Sequence, residues 1–143
     1  MPLRLAPAEI FSQLKSQRFL LVNPRRRNGL IIFKHYYAEF AGPGAAVGGT
    51  VDVDCLGVFP VGDLELLEPS SPEDRQRGCA TRRQWVQLIR KITSEELPEK
   101  RAKMIMEQFQ HYFDGKAIAQ LPDDTFAQLV GVLPQTIRKI RDI

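Results

Sequence analysis

The spacing of apolar residues shifts from a period of about two to about 3.6 between residues 68 and 80. Before the shift, after one short N-terminal helix, short runs rich in β-branched and aromatic residues lie between turn-forming residues. After it, apolar residues recur at helical spacing. The shift predicts an α+β chain: an N-terminal helix, a strand-rich part and then a C-terminal helical cluster. The predicted organisation is a strand-rich subdomain over 1–68, a linker over 69–80 and a helical subdomain over 81–143. With 143 residues, 43% of them hydrophobic, there is enough material for a real core.

In the first part, Pro7 to Gln17 reads as a short helix, with Ile10, Phe11 and Leu14 on one face. Arg18 to Val22 and Leu30 to Phe40 read as two strands of a hairpin closed by Asn28-Gly29, with Arg25, Arg26 and Arg27 at its tip. Residues 41–49 read as a glycine-rich loop. Thr50 to Leu56 alternates Val51, Val53 and Cys55 with Asp52 and Asp54, which predicts a half-buried strand with its acids outward. Val58 to Val61 and Leu64 to Leu67 are shorter strands. Together these make a small antiparallel meander or a partial barrel.

Glu68 to Gly78 is polar and holds two prolines, the composition of a linker. Thr81 and Gln84 then match a capping box, and Trp85, Leu88, Ile89 and Ile92 follow at helical spacing. Further helices are expected over 98–113, 116–121, 124–130 and 134–141. They form a C-terminal helical cluster.

No enzyme signature is found, so the expectation is a non-enzymatic protein without a cofactor. The glycine-rich segment 42–49 lacks the Gly-Lys-Ser/Thr of a phosphate loop, and a strand is expected after it where a dinucleotide site needs a helix. Asp52 and Asp54 have no third carboxylate near them in sequence, so no metal is expected. His35 and His111 lie in no local acid–base motif. Cys55 and Cys79 lack zinc-ligand spacing and read as reduced thiols. The N-terminal residues lack the long apolar run of a signal peptide, and no run is long enough to span a membrane, so a cytoplasmic location is expected.

Residues 123–140, Asp-Asp-Thr-Phe-Ala-Gln-Leu-Val-Gly-Val-Leu-Pro-Gln-Thr-Ile-Arg-Lys-Ile, are the most specific stretch. Ala127 is small enough for a helix to cross closely above it. Gly131, four residues on, suits a left-handed turn. Val132, Ile137 and Ile140 would hold the second helix to the core. This spacing resembles the helix-turn-helix of DNA-binding regulators. The resemblance implies that Gln135, Thr136, Arg138, Lys139 and Arg141 face outward, toward base edges and phosphates in a major groove. The net charge of +3 agrees in sign: residues 1–70 balance 7 Lys/Arg with 7 Asp/Glu, and residues 71–143 hold 13 against 10. The arginine tip would add phosphate contacts, and Lys34, His35, Tyr36 and Tyr37 mix basic and aromatic groups suited to stacking on RNA bases.

The leading expectation is therefore a nucleic-acid-binding or regulatory protein contacting DNA or RNA, with a homodimer extending the contact. The alternative is a protein-interaction module, such as an accessory or assembly subunit of a larger complex. It would use the strand half, the arginine tip and exposed apolar residues.

Overall fold

A computed structural model describes residues 2–142. The chain is α+β, with two antiparallel sheets and six helices among the described residues. The strands are β1 (Pro2–Leu3), β2 (Phe19–Val22), β3 (Asn28–Phe33), β4 (Ala38–Ala41), β5 (Ala46–Gly48), β6 (Gly57–Gly62) and β7 (Leu66–Leu67). They form a four-stranded sheet in the order β1-β7-β2-β5 and a three-stranded sheet in the order β4-β3-β6, with no closed barrel. The helices are α1 (Pro7–Lys15), α2 (Pro72–Thr93), α3 (Pro98–Tyr112), α4 (Gly115–Ala119), α5 (Asp123–Val130) and α6 (Pro134–Arg141).

Strand β3 explains how these layers share material. Its residues Leu30 and Ile32 join α1 and the four-stranded sheet in one apolar cluster. Ile31, on the opposite face, joins Phe40 and Val61 under α2, α3, α5 and α6 in a second cluster. A strand covered on both faces reads as a continuous apolar run, which is what Leu30-Ile31-Ile32 is. Trp85 of α2 packs against both clusters.

Several expectations change. The expected hairpin between residues 18–22 and 30–40 does not form, because β2 and β3 belong to different sheets. Asn28-Gly29 lies inside β3 rather than at a turn. Asn28 is buried: its amide donates to the Asn23 and Arg26 carbonyls, and its side-chain oxygen accepts from the Glu65 amide. The arginine segment is thus a crossover between sheets. The long strand over 30–40 breaks at residues 34–37, where the Lys34 amide donates to the Tyr37 carbonyl at 2.8 Å, and a β3–β4 hairpin results.

The expected strand over 50–56 is a series of turns, and its polarity is reversed at residues 51–53, while Cys55 is buried and Asp54 exposed as the alternation predicts. Asp52 is fully buried while Val51, Val53 and Leu56 are exposed. The linker expected over 69–80 is mostly the first half of α2. The Ser71 side chain accepts from the Asp74 amide, Pro72 occupies the first turn with Glu73 and Asp74, and Arg90 and Lys91 occupy the last. These are strong helix-end signals. They place Thr81 and Gln84 inside the helix, so they are not a capping box.

The C-terminal helices follow their expected spans closely, because each starts at a proline or an acidic turn and presents one apolar stripe. Gly131 takes the left-handed conformation, with φ 67° and ψ 44°. Gly48 is held at φ +87°, where a Cβ would lie 1.8 Å from the Arg18 carbonyl oxygen. Gly48→Ala is expected to cost about 3 kcal/mol, the upper end for a residue forced into that region, since the methyl also overlaps backbone. Gly131→Ala, with open space around it, is the matched control at about 1–2 kcal/mol. Thermal melts of the two variants check the ordering.

Candidate interaction surfaces

The helix-turn-helix-like segment has the expected local shape. Ala127 and Ile137 are buried, Ile140 and Val132 pack against the helical core, and the Val132 amide donates to the Ala127 carbonyl at 3.1 Å. One supporting side chain was not foreseen. Arg101 of α3 donates to the carbonyls of Val130, Gly131 and Glu95 and so fastens the turn between α5 and α6. Its helical spacing from other polar residues carries no sign of this role.

The candidate contact residues divide on inspection. Gln135, Arg138 and Lys139 are exposed and Thr136 is half-buried. Arg138 pairs with Asp123 at 3.4 Å and Lys139 with Glu99 at 2.8 Å. Arg141, expected to face outward, turns inward instead. Its guanidinium donates to the Leu121 and Ile118 carbonyls, pairs with Asp123 and lies over the Phe126 ring. It thereby binds two carbonyls at and just beyond the end of α4. Residues 122–142 hold three acids and three bases, so this segment has no net charge. At the crossover, Arg26 pairs with Asp63 and Glu65, while Arg25 and Arg27 are exposed.

The basic surplus sits elsewhere. Helix α2 carries six Lys/Arg against two Asp/Glu. One of the six, Arg82, is 7% exposed and forms the centre of a buried ionic cluster. It donates to both oxygens of Asp52 at 2.9 Å, to Glu39 of β4 and to the Ala46 carbonyl of β5 at 3.0 Å. Its buried Nε has no partner among the described residues. Lys34 joins from the other side, 3.1 Å from Asp52 and 2.8 Å from Asp54, and donates to the Val51 carbonyl. The Gly48 amide completes the shell of Asp52 at 2.8 Å. Burial alone would raise the Asp52 pKa, but the bonds from Arg82, Gly48 and Lys34 outweigh it and hold the carboxyl below its usual range. Asp52 and Asp54, considered as a metal pair, are therefore both engaged by cations of the chain. Among the described residues no cluster of three or more His, Cys, Asp or Glu is placed to hold a metal. Cys55 is buried and its thiol is pushed up by burial, and His35 and His111 are exposed.

Two surfaces surround this cluster. A groove runs beside α2, made of a cavity of about 400 Å³ that reaches Phe19, Val51 and Cys79, and one of about 260 Å³ that reaches Tyr37, Phe40 and Thr93. Both are bordered by Glu39, Val86 and Arg90. At the end of the sheet, two adjoining turns expose large apolar side chains: Tyr36 at 89%, Leu56 at 60%, and also Tyr37, Val51 and Val53. The turns are tied to each other by Lys34 and by the Leu56 amide, which donates to the Phe33 carbonyl at 2.7 Å. No helix of the described residues is long and apolar enough to cross a membrane. Searches for relatives find no family model and no curated protein that matches the chain.

Proposed function

We propose that this chain is a protein-interaction module whose partner is another polypeptide. The observation that carries the reading is the group of exposed apolar side chains on the two joined turns, Tyr36, Tyr37, Val51, Val53 and Leu56. Scattered single apolar residues on a surface need no explanation, but a group of five on neighbouring turns marks a surface that prefers cover. The turns are held from below by Lys34, so the patch is preorganised and loses little entropy on binding. Aromatic residues such as Tyr36 and Tyr37 are the side chains that carry most energy at such surfaces.

The expected result is a nuclease-resistant protein partner, captured from native extract by the wild-type chain and lost with Tyr36→Ser/Leu56→Ser. Both positions are exposed, so the variant is expected to melt within a few degrees of wild type. A partner retained by the variant would overturn the reading. A homodimer through the same patch is its self-paired form, and light scattering of the two proteins reads it.

One observation favours a second reading, nucleic-acid binding through α6. The left-handed turn at Gly131 precedes a helix whose Gln135, Arg138 and Lys139 are exposed. Against it stands the charge: phosphate contact draws its affinity from cations free to replace counterions, and Arg138 and Lys139 already face Asp123 and Glu99. Duplex DNA titrated at low salt, with wild type and Arg138→Ala/Lys139→Ala, separates the readings. Tight binding lost in the variant would put nucleic acid first.

A further inference from the structure

We infer that the groove beside α2 takes an extended acidic peptide segment of the partner, with apolar side chains in its two bays and carboxylates on Arg83 and Arg90. The inference rests on the protein-interaction reading and names the chemistry of the partner.

The shape comes first. The two cavities border α2 from Cys79 to Thr93. At 1.5 Å per helical residue this is roughly 20 Å, the span of about six residues of extended chain. A groove of that length, open along one side, suits a peptide better than a small enclosed ligand. Phe19, Val51 and Val86 make one apolar bay, and Tyr37, Phe40 and Ile89 the other.

The charge selects the occupant. Arg83 and Arg90 border the groove, and among the described residues neither has a carboxylate within 4.0 Å. Arg75 adds a third guanidinium on the same helix, over the Phe19 ring at 4.5 Å. Glu39 is the one acid bordering either bay, and Arg82 already holds it. The uncompensated charge of the groove is thus positive, which favours carboxylates on the partner. Arg82 leaves its Nε without an acceptor beside the same groove. The mode of binding is also constrained. The Ala46 carbonyl and the Gly48 amide of the edge strand β5 are taken by Arg82 and Asp52, so the peptide is held by its side chains and not by joining the sheet.

The test is selection of the full chain against a random displayed peptide library. The expected winners carry Asp or Glu together with two large apolar residues. A fluorescein-labelled synthetic copy of the top sequence is then titrated by anisotropy. Arg83→Glu/Arg90→Glu is expected to weaken it by at least roughly tenfold, and a copy with its acids changed to lysine is expected to regain binding to that variant. Circular dichroism confirms that the variant folds. Absence of enrichment, winners without acidic bias, affinity unchanged by the charge reversal, or preference for a labelled oligo-dT would each overturn the inference. The Tyr36→Ser/Leu56→Ser capture distinguishes the failures. If capture depends on the patch and the groove selects nothing, the interaction reading stands and the groove assignment falls.

Discussion

Asp52→Ala is expected to remove roughly 3–5 kcal/mol of folding stability, the cost of leaving a buried charge without its partner. Asp52 is fully buried and faces two cations, Arg82 and Lys34, that are themselves almost wholly covered. Alanine would leave Arg82 with Glu39 alone and Lys34 with the exposed Asp54 alone, so both would lose their one fully buried counter-charge. It would also remove the acceptor of the Gly48 amide. Asp52→Asn keeps the shape and one acceptor and is expected to cost less. Urea unfolding followed through Trp85, the chain's single tryptophan, reads both. A loss below about 1.5 kcal/mol for Asp52→Ala would show that the cluster relaxes or hydrates.

The same cluster sets a pH dependence. The Asp52 pKa is lowered on folding, so its contribution is present above the ordinary value near 3.8 and is lost as pH falls through the lower folded value. For Lys34, burial would lower the pKa, but its bonds to Asp54 and Asp52 raise it above 10.5. That contribution is full below 10.5 and fades as pH rises through the raised value. The cluster therefore supports a plateau of stability between these limits, with acid as the sharper edge because Asp52 is the partner of both cations. Urea midpoints measured across pH for wild type and Asp52→Asn should differ least at the acid end.

Phe109→Ala is expected to cost about 3–5 kcal/mol. Phe109 is 2% exposed, and its ring centre lies 5.0 Å from that of Phe40, 5.4 Å from Phe113 and 5.2 Å from Phe126. It is thus the side chain through which β4, α3 and α5 meet. A cavity there loses the burial of one ring, its edge-to-face contact with Phe126 and its tilted contacts with Phe40 and Phe113. Phe109→Leu, which refills most of the volume, is expected to cost about 1 kcal/mol. Hydrogen exchange should show more than a uniform change: amides of α5 and α6 should lose protection before those of α2, which has its own anchorage in the ionic cluster.

How much of this was legible in the sequence depended on whether an element's pattern had one cause. Helices α3, α5 and α6 were legible because their apolar stripes meet a single core. So was the turn at Gly131, where only glycine fits cheaply. Residues 50–56 misled because alternation of Val and Asp has two explanations. A half-buried strand gives it, and so does a turn that folds Asp52 beneath itself to meet an arginine thirty residues on. Nothing local separates the two. The first half of α2 misled in the same way. Its contact face holds Gly78 and Arg82, which reads as linker polarity until β5 is seen beneath it. The basic surplus of the second half was counted correctly, but its place was not. It belongs to α2 and not to α6, so the groove was missed. Cys79, Arg83, Val86 and Arg90 do recur at helical spacing, a signal that becomes visible only when the helix begins at Pro72.

The side chains that close the rim of β5 bear on how the protein behaves in a crowded solution. A bare three-residue rim is a template on which strands from other copies can stack, and stacking of that kind is how soluble proteins begin to form fibrils. Here the Ala46 carbonyl and Gly48 amide answer to Arg82 and Asp52. A strand arriving at this rim from another molecule would have to displace Arg82 and Asp52 to reach those two groups. The cluster that stabilises the fold thereby also blunts this one edge.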